Sequence, residues 1–294
     1  MLNVMRFATQ DGPGIRTTIF FKGCPLCCAW CHNPESQRFL PDRVYFEERC
    51  RHCLECAGVC PQHAIGEVDG RVETSDACDY CGTCAGICMA EARQILGRRY
   101  TLTELIAEVE RDLIFFDDSG GGVTLSGGEP LSQPGFVSAF LRACKEREIG
   151  TVIETCGFAQ AETFLSTALL ADRILFDLKL MDPEQHRLHT GVRNEAILRN
   201  LEALLARRHA VTVRIPVIPG INDSEEAMAQ FAGYLSGLPP VPVTLLPYHR
   251  TGIAKYVRLG REYALEATPQ PAAADLERFR EVLTRAGLQV TVGG

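Results

Sequence analysis

The 294-residue sequence has no run of eighteen apolar residues, so it offers no candidate for a membrane-spanning helix. Its N-terminus also lacks a basic stretch leading into an apolar core and a small-residue cleavage site, and a cytoplasmic protein is expected. Basic charge is not in excess: 30 Lys and Arg stand against 37 Asp and Glu, a formal net charge of −7, with no basic helix or stripe. That balance argues against binding driven by phosphate neutralisation, so neither a nucleic-acid nor a membrane partner is expected. A P-loop is missing too, because the Gly-rich run Ser119 to Gly122 has no Lys at the required spacing.

Cysteine, by contrast, is abundant. Fourteen cysteines without an export signal argue for metal sites in a reducing compartment rather than a disulfide framework, and twelve of them fall into three runs. The first run lies in GCPLCCAWCHNP, where Cys24, Cys28 and Cys31 stand as CxxxCxxC. Three thiolates can hold three irons of a cubane and leave the fourth iron open to bind something, whereas electron-transfer cubanes take four cysteines. A zinc knuckle or a set of buried cysteines is the other reading of that spacing. Cys27 breaks the register and is left out of the ligand set. The second run is Cys50, Cys53, Cys56 and Cys60, followed by Pro61; the third is Cys78, Cys81, Cys84 and Cys88, followed by Met89 instead of proline. Both read CxxCxxCxxxC, the spacing of two-cluster ferredoxins, in which the fourth cysteine of one run ligates the other run's cluster. A zinc ribbon would need only two CxxC pairs.

Around these runs the chain changes character. Asp11 to Gly14 is a turn feeding a strand, Thr17 to Phe21, and the first cysteines follow directly. Residues 41–98 show little helical or strand periodicity and read as an insert into a core made of 1–40 and 99–294. From Arg99 onward helices and strands alternate, the sign of parallel βα units. Strands are expected at 122–126, 151–155, 173–180, 210–218 and 241–248. Helices are expected at 101–112, 136–147, 161–170, 194–208, 224–235 and 273–286, and a last strand at 288–292.

Chemistry-bearing residues cluster where those strands end, the edge at which βα barrels keep their sites. Ser126-Gly127-Gly128-Glu129-Pro130 joins two glycines, which let a ligand approach the backbone, to a carboxylate that can meet an ammonium; a bland strand-to-helix turn explains the glycines equally. Glu154 precedes Thr155-Cys156-Gly157 at the end of the next strand, and Cys156 and Cys144 read as small buried hydrophobes. Asp177-Leu178-Lys179 puts a carboxylate and an ammonium on one side of a strand, where they could simply pair with each other. Arg214 and His249 lie on the last two main strands.

Trp30 completes the pattern CxxxCx(aromatic)C, and with it the first run resembles the radical S-adenosylmethionine (SAM) superfamily. The flanks DGPGIRTTIFFKGCP and WCHNPES resemble, more narrowly, the activating enzymes of glycyl radical enzymes. DLKLMDPEQHRLHTGVRN, LLPYH and GIAKY agree with the same group, over Arg6 to about Tyr263. The fold this resemblance implies is a partial (β/α)6 barrel, and six strands before the last helix suit it, with a ferredoxin-like two-cluster domain inserted. The resemblance further implies that SAM chelates the open iron of a cluster held by Cys24, Cys28 and Cys31. Trp30, His32, Gly127, Gly128, Glu129, Asp177, Leu178, Lys179, Arg214 and His249 would surround SAM, with Glu129 at its amino group and Lys179 near the reacting carbon. Glu154 replaces the family's usual Asp in a monovalent-cation site. Asp11, Gly12, Pro13, Gly14 and Arg16 would contact the substrate peptide, while Lys255 and Tyr256 have a weaker claim and His186 and His189 are read as structural. The implied cofactors are three [4Fe-4S] clusters, SAM and a monovalent cation. The implied partners are a glycyl radical enzyme and, as electron donor, reduced flavodoxin or ferredoxin, with the chain itself a monomer. A radical SAM enzyme for a small molecule would share the cysteines but would not need DGPGIR or the long DLK segment. A plain ferredoxin would leave the barrel unexplained.

Overall fold

The computed structural model describes residues 1–293. In chain order the first elements are β1 (Asn3–Ala8), β2 (Arg16–Phe21), β3 (Asp42–Tyr45), α1 (Glu55–Gly58), β4 (Ile65–Val68), β5 (Arg71–Thr74), α2 (Thr83–Ile87) and β6 (Arg93–Leu96). The alternating part follows with α3 (Leu102–Glu110), α4 (Leu113–Ser119), β7 (Gly122–Gly127), α5 (Pro134–Lys145), β8 (Thr151–Thr155), α6 (Ala161–Ala168), β9 (Arg173–Asp177), α7 (Pro183–Thr190) and α8 (Glu195–Ala206). The chain ends with β10 (Val211–Val217), α9 (Glu225–Ser236), β11 (Val243–Pro247), α10 (Ile253–Arg258), α11 (Ala273–Arg285) and β12 (Val290–Val292).

One sheet runs β1-β2-β7-β8-β9-β10-β11-β12. Every neighbouring pair in it is parallel except β1 with β2. The order is linear, so the sheet curves open instead of closing into a barrel. Its two faces differ in chemistry. Ile19, Val123, Leu125, Ile153, Phe176 and Ile215 point into a buried core against Leu105, Phe140, Phe164, Leu201, Phe231 and Phe279 of the helices. Each such side chain contributes on the order of 1.5–3 kcal/mol. The register places Thr18, Thr124, Ser126, Glu154, Asp177 and Arg214 on the opposite face. That polar inner face is where the site forms.

Helix starts follow from local chemistry. Thr101 and Glu104 form a reciprocal capping box on α3, and Asp182, Gln160 and Ser224 cap α7, α6 and α9 by accepting from a backbone N–H. Three features differ from the sequence expectation. β1 is an added antiparallel edge strand whose side chains are mostly exposed, which leaves it without a strong apolar alternation. α4 extends the helical segment beyond Asp112, closed by Gly120 in the left-handed conformation. Residues 41–98 are not devoid of strands: β3 pairs with β6 and β4 with β5 as antiparallel four-residue pairs, too short to register as periodicity.

Candidate active site

The C-terminal ends of β2, β7, β8, β9, β10 and β11 surround a cavity of about 400 Å³, within the size range of small-ligand pockets, roughly 300–1,000 Å³. Cys24, Cys28 and Cys31 form one wall, and Trp30 and His32 belong to the same wall. Glu154 and Asp177 near the ends of β8 and β9, Lys179 just past β9 and Arg214 midway along β10 face them. These four make a continuous chain of alternating charge. Arg214 lies between two carboxylates, 2.5 Å from Glu154 Oε1 and 2.8 Å from Asp177 Oδ1, and Lys179 Nζ is 3.1 Å from Asp177 Oδ2. Ser126 donates to the far oxygen of Glu154. Burial alone would push the Asp177 carboxyl up, but Arg214 and Lys179 hold it below the ordinary carboxylate range. Lys179 and Arg214 are likewise held protonated, burial being outweighed by Asp177 in both. The cavity thus carries fixed charges of both signs, matched to a zwitterion.

The cysteine loop is held in place by the segment after β9. Cys27 N–H donates to the Thr190 carbonyl at 2.8 Å and Ala29 N–H to that of His189 at 2.9 Å, so the C-terminal end of α7 receives the loop. His186 is buried and bonds through Nδ1 to the Val192 carbonyl and Thr190 Oγ1. Asn194 donates to the carbonyls of Leu180 and Met181, and Asn222 to that of Lys179. The motif DLKxMDxxxHxxxTGxxN is therefore a lock that joins the Asp177 and Lys179 turn to the cysteine loop, and His186 has the structural role read for it.

Several expected site residues are placed differently. Leu178 is buried in the helix-facing core, because on a strand it points away from its neighbours Asp177 and Lys179. Glu129 is not in the cavity wall. Its carboxylate, 1% exposed, accepts from Thr155 Oγ1, Cys156 N–H and Leu131 N–H, bracing the wall from behind, and burial pushes its pKa up. Gly127 and Gly128 do line the cavity, yet a Cβ on Gly127 would lie 2.6 Å from the Phe21 backbone and one on Gly128 2.3 Å from the Gly23 carbonyl. Gly127 is required by the close approach of the end of β2, and Gly128 by that of the cysteine loop. Arg16 is 1% exposed and faces no open surface: it donates to Thr124 Oγ1 and to the carbonyls of Pro13, Val123 and Gly150. It holds the Asp11–Gly14 turn at the other end of β2, where the Asp11 carboxylate accepts from Thr18 on the inner face. Gly12 and Gly14 have positive φ there, and Pro13 is exposed.

Two wall residues carried no signal pointing to the cavity. Gln270 and Pro271 come from beyond the last matching motif. Cys156 is cavity wall rather than plain core and lies near Cys24, the neighbouring thiols lowering the Cys24 pKa and raising that of Cys156. Burial pushes Cys28 up to about 12 and Cys31 up to about 11, so filling the site with metal must displace protons.

Residues 42–96 bring the other eight cysteines into two groups. Cys50, Cys53, Cys56 and Cys88 line one cavity, and Cys60, Cys78, Cys81 and Cys84 line a second. The fourth cysteine of each run thus lines the cavity of the other run.

Residues 75–232 match the Radical SAM superfamily, and residues 10–66 match a 4Fe-4S single cluster domain. The chain belongs to the radical SAM superfamily. It is 41% identical to the trans-4-hydroxy-L-proline dehydratase activating enzyme of Clostridioides difficile over 100% of this chain and 99% of that one. To the choline trimethylamine-lyase activating enzyme of Oleidesulfovibrio alaskensis it is 42% identical over 99% of this chain and 97% of the relative. Among solved structures, a domain of the pyruvate-formate lyase-activating enzyme from Bacteroides vulgatus superposes with a TM-score of 0.51 at 32% identity, covering 59% of this chain and 99% of that domain. The two curated relatives are named as activating enzymes and match this chain over nearly its whole length.

Proposed function

We propose that this chain activates a glycyl radical enzyme. The observation that carries the reading is the cavity that brings Cys24, Cys28 and Cys31 together opposite fixed charges of both signs. A cluster held by Cys24, Cys28 and Cys31 would present an open iron to the amino and carboxylate groups of SAM and supply one electron to its sulfonium. Addition of that electron breaks the C5′–S bond, giving methionine and a 5′-deoxyadenosyl radical. The radical then takes a hydrogen atom from the Cα of a glycine in the partner, leaving 5′-deoxyadenosine and a backbone glycyl radical.

The chain's own residues orient the reactants. Arg214 and Lys179 supply positive charge toward the methionine carboxylate and the ribose, and Asp177 and Glu154 keep both cations charged. Arg214 also provides at Glu154 the positive charge that the resemblance assigns to a monovalent cation. Trp30, Gly127 and Gly128 exclude water from the cavity, and the stacked His32 and His249 close its adenosine side. The partner's glycine would enter along the polar inner face, past Asp11 to Gly14. The two further cysteine groups fit four-thiolate clusters, three clusters in all, and reduced flavodoxin or ferredoxin would provide the electron. We read the chain as a cytoplasmic monomer.

The test is anaerobic: reconstituted, reduced protein with SAM and the glycyl radical enzyme encoded beside it should yield an organic radical signal split by one remaining Cα hydrogen. Replacing the partner's glycine with alanine should abolish the signal, and Cys28→Ala here should abolish both the signal and 5′-deoxyadenosine. Deoxyadenosine formed in good yield with a small metabolite, and no radical on any protein partner, would overturn the reading in favour of a small-molecule enzyme.

A further inference from the structure

Between the first cysteine loop and the insert lies a buried cluster of charges that the reaction above does not use. Lys22, two residues before Cys24, is 4% exposed, and its ammonium donates to Asp42 Oδ2 and to the Glu35 carbonyl, both at 2.6 Å. Asp42 opens β3 and is 3% exposed. Its second oxygen receives Arg38 at 3.1 Å and Arg261 at 3.3 Å. Glu35 pairs with Lys255 at 2.8 Å, and Lys255 also donates to Asn33 Oδ1. One carboxylate therefore ties together the cysteine loop, the insert and the segment after the last main strand. On the insert side Gly97 leaves room for the lysine, since a Cβ there would meet the Lys22 side chain at 2.7 Å.

Separating this pair would leave the buried Lys22 ammonium without its carboxylate, whereas Asp42 would keep Arg38 and Arg261, so the contact is favoured chiefly from the Lys22 side. Its direction matters for the site. The Lys22 stem fixes the start of the Gly23–Cys24 turn, whose backbone is also held by Gly23 N–H to the Ser36 carbonyl and Cys24 N–H to that of Gln37. Arg38 continues the link outward, bonding to the Tyr80 hydroxyl and lying 5.4 Å from the centre of that ring, between Cys78 and Cys81 in sequence. The chain of contacts thus leads from Cys24 to the cavity lined by Cys60, Cys78, Cys81 and Cys84.

We infer that Asp42, acting through Lys22, is a positioning residue for the radical SAM site: it holds the Gly23–Cys24 turn so that Cys24 faces the cavity, and it makes the insert part of the catalytic geometry. The inference rests on the reading of that cavity as the SAM site. The cluster has four cations against two carboxylates, a net positive patch beside a loop whose thiolates become negative on binding iron.

The test compares full-length, anaerobically reconstituted wild type with Asp42→Asn, Lys22→Met and the double variant. Its readouts are iron per chain, melting temperature, SAM dissociation constant, and the electron paramagnetic resonance spectrum of the reduced protein with and without SAM. Each single variant should keep its iron but bind SAM more weakly, by about tenfold to a hundredfold if the effect matches what loss of a metal ligand's supporting group costs in metal affinity or activity, with an altered SAM-induced spectral change. The double variant should be no worse than the weaker single, and Lys22→Arg should restore part of the affinity. If Asp42→Asn proves too unstable, Arg261→Gln at the rim of the cluster should move SAM affinity in the same direction by less. A lower melting temperature, or iron lost from the insert alone, with SAM affinity and spectrum unchanged overturns the inference and leaves the site reading intact. Wild type that fails to bind SAM overturns the site reading itself.

Discussion

His32 and His249 stack with ring centres 3.9 Å apart and 25° between their planes, and His32 Nε2 donates to the His249 carbonyl at 3.0 Å. The pair joins the residue after the third cysteine to the residue just beyond β11. Burial, then the neighbouring His249, depresses the His32 pKa from 6.5 to about 4, which keeps it neutral with its proton on Nε2. Between pH 6.5 and about 4 the unfolded chain therefore binds a proton at this position that the folded chain does not, so the His32 contribution to stability is lost as pH falls through that window. His32→Gln should lose less stability than wild type between pH 7 and pH 5, read as the difference in denaturation midpoint at the two values. Equal pH slopes in the two proteins would mean that His32 takes up its proton alike in the folded and unfolded chains.

The crossing of the fourth cysteines, expected from the two-cluster spacing, makes a prediction. Cys88→Ala should damage the group formed by Cys50, Cys53 and Cys56, and Cys60→Ala the group formed by Cys78, Cys81 and Cys84. A structure of each variant, or the loss of one distinct cluster spectrum per variant, reads the outcome; each substitution emptying its own sequence run would refute the exchange. Cys27 is exposed and absent from the cavity wall, so Cys27→Ser should retain full iron and full SAM cleavage.

Arg214 is the one cation shared by Glu154 and Asp177. Arg214→Gln would leave two partly buried carboxylates facing each other, a change that costs about 3–5 kcal/mol in buried pairs. Lys179 remains beside Asp177 and offsets part of that. Lower thermal stability and weaker SAM binding should therefore appear together. Arg214→Lys should recover stability more than SAM affinity, because one ammonium cannot bridge both carboxylates in the geometry of the planar guanidinium.

What was legible in the sequence was chemistry tied to local spacing: the three cysteine runs, the strands that carry Glu154, Asp177 and Arg214, and the alternation that gives a parallel sheet. What was not legible depends on partners distant in the chain. Arg16 follows a turn expected to meet a peptide, but cross-strand register turns it toward Thr124 and Gly150. Leu178 shares a motif with two cavity residues, yet the strand period of two sends it to the core. Cys156 looked like an isolated small hydrophobe because its neighbour Cys24 is far away in sequence. The Asp177 to Asn194 segment was expected to border SAM, and its far half instead fastens the cysteine loop through hydrogen bonds that no local spacing announces.

Glu129 separates two roles that the motif leaves merged. If its carboxylate met the SAM amino group, Glu129→Gln would weaken SAM binding and leave the free protein's stability nearly untouched. In the structure the carboxylate instead accepts from a hydroxyl and two backbone N–H groups, and it is fully buried behind Thr155 and Cys156. A glutamine there would turn its NH₂ toward at least one of those donors and leave buried polar groups unpaired, at about 1–3 kcal/mol for each group. Glu129→Gln should therefore lower the melting temperature of the SAM-free protein, and SAM affinity should fall with it because the wall residues Thr155 and Cys156 shift. Glu129→Asp should behave similarly, since the shorter carboxylate cannot reach all three donors. Weaker SAM binding at an unchanged melting temperature would return Glu129 to direct contact with SAM.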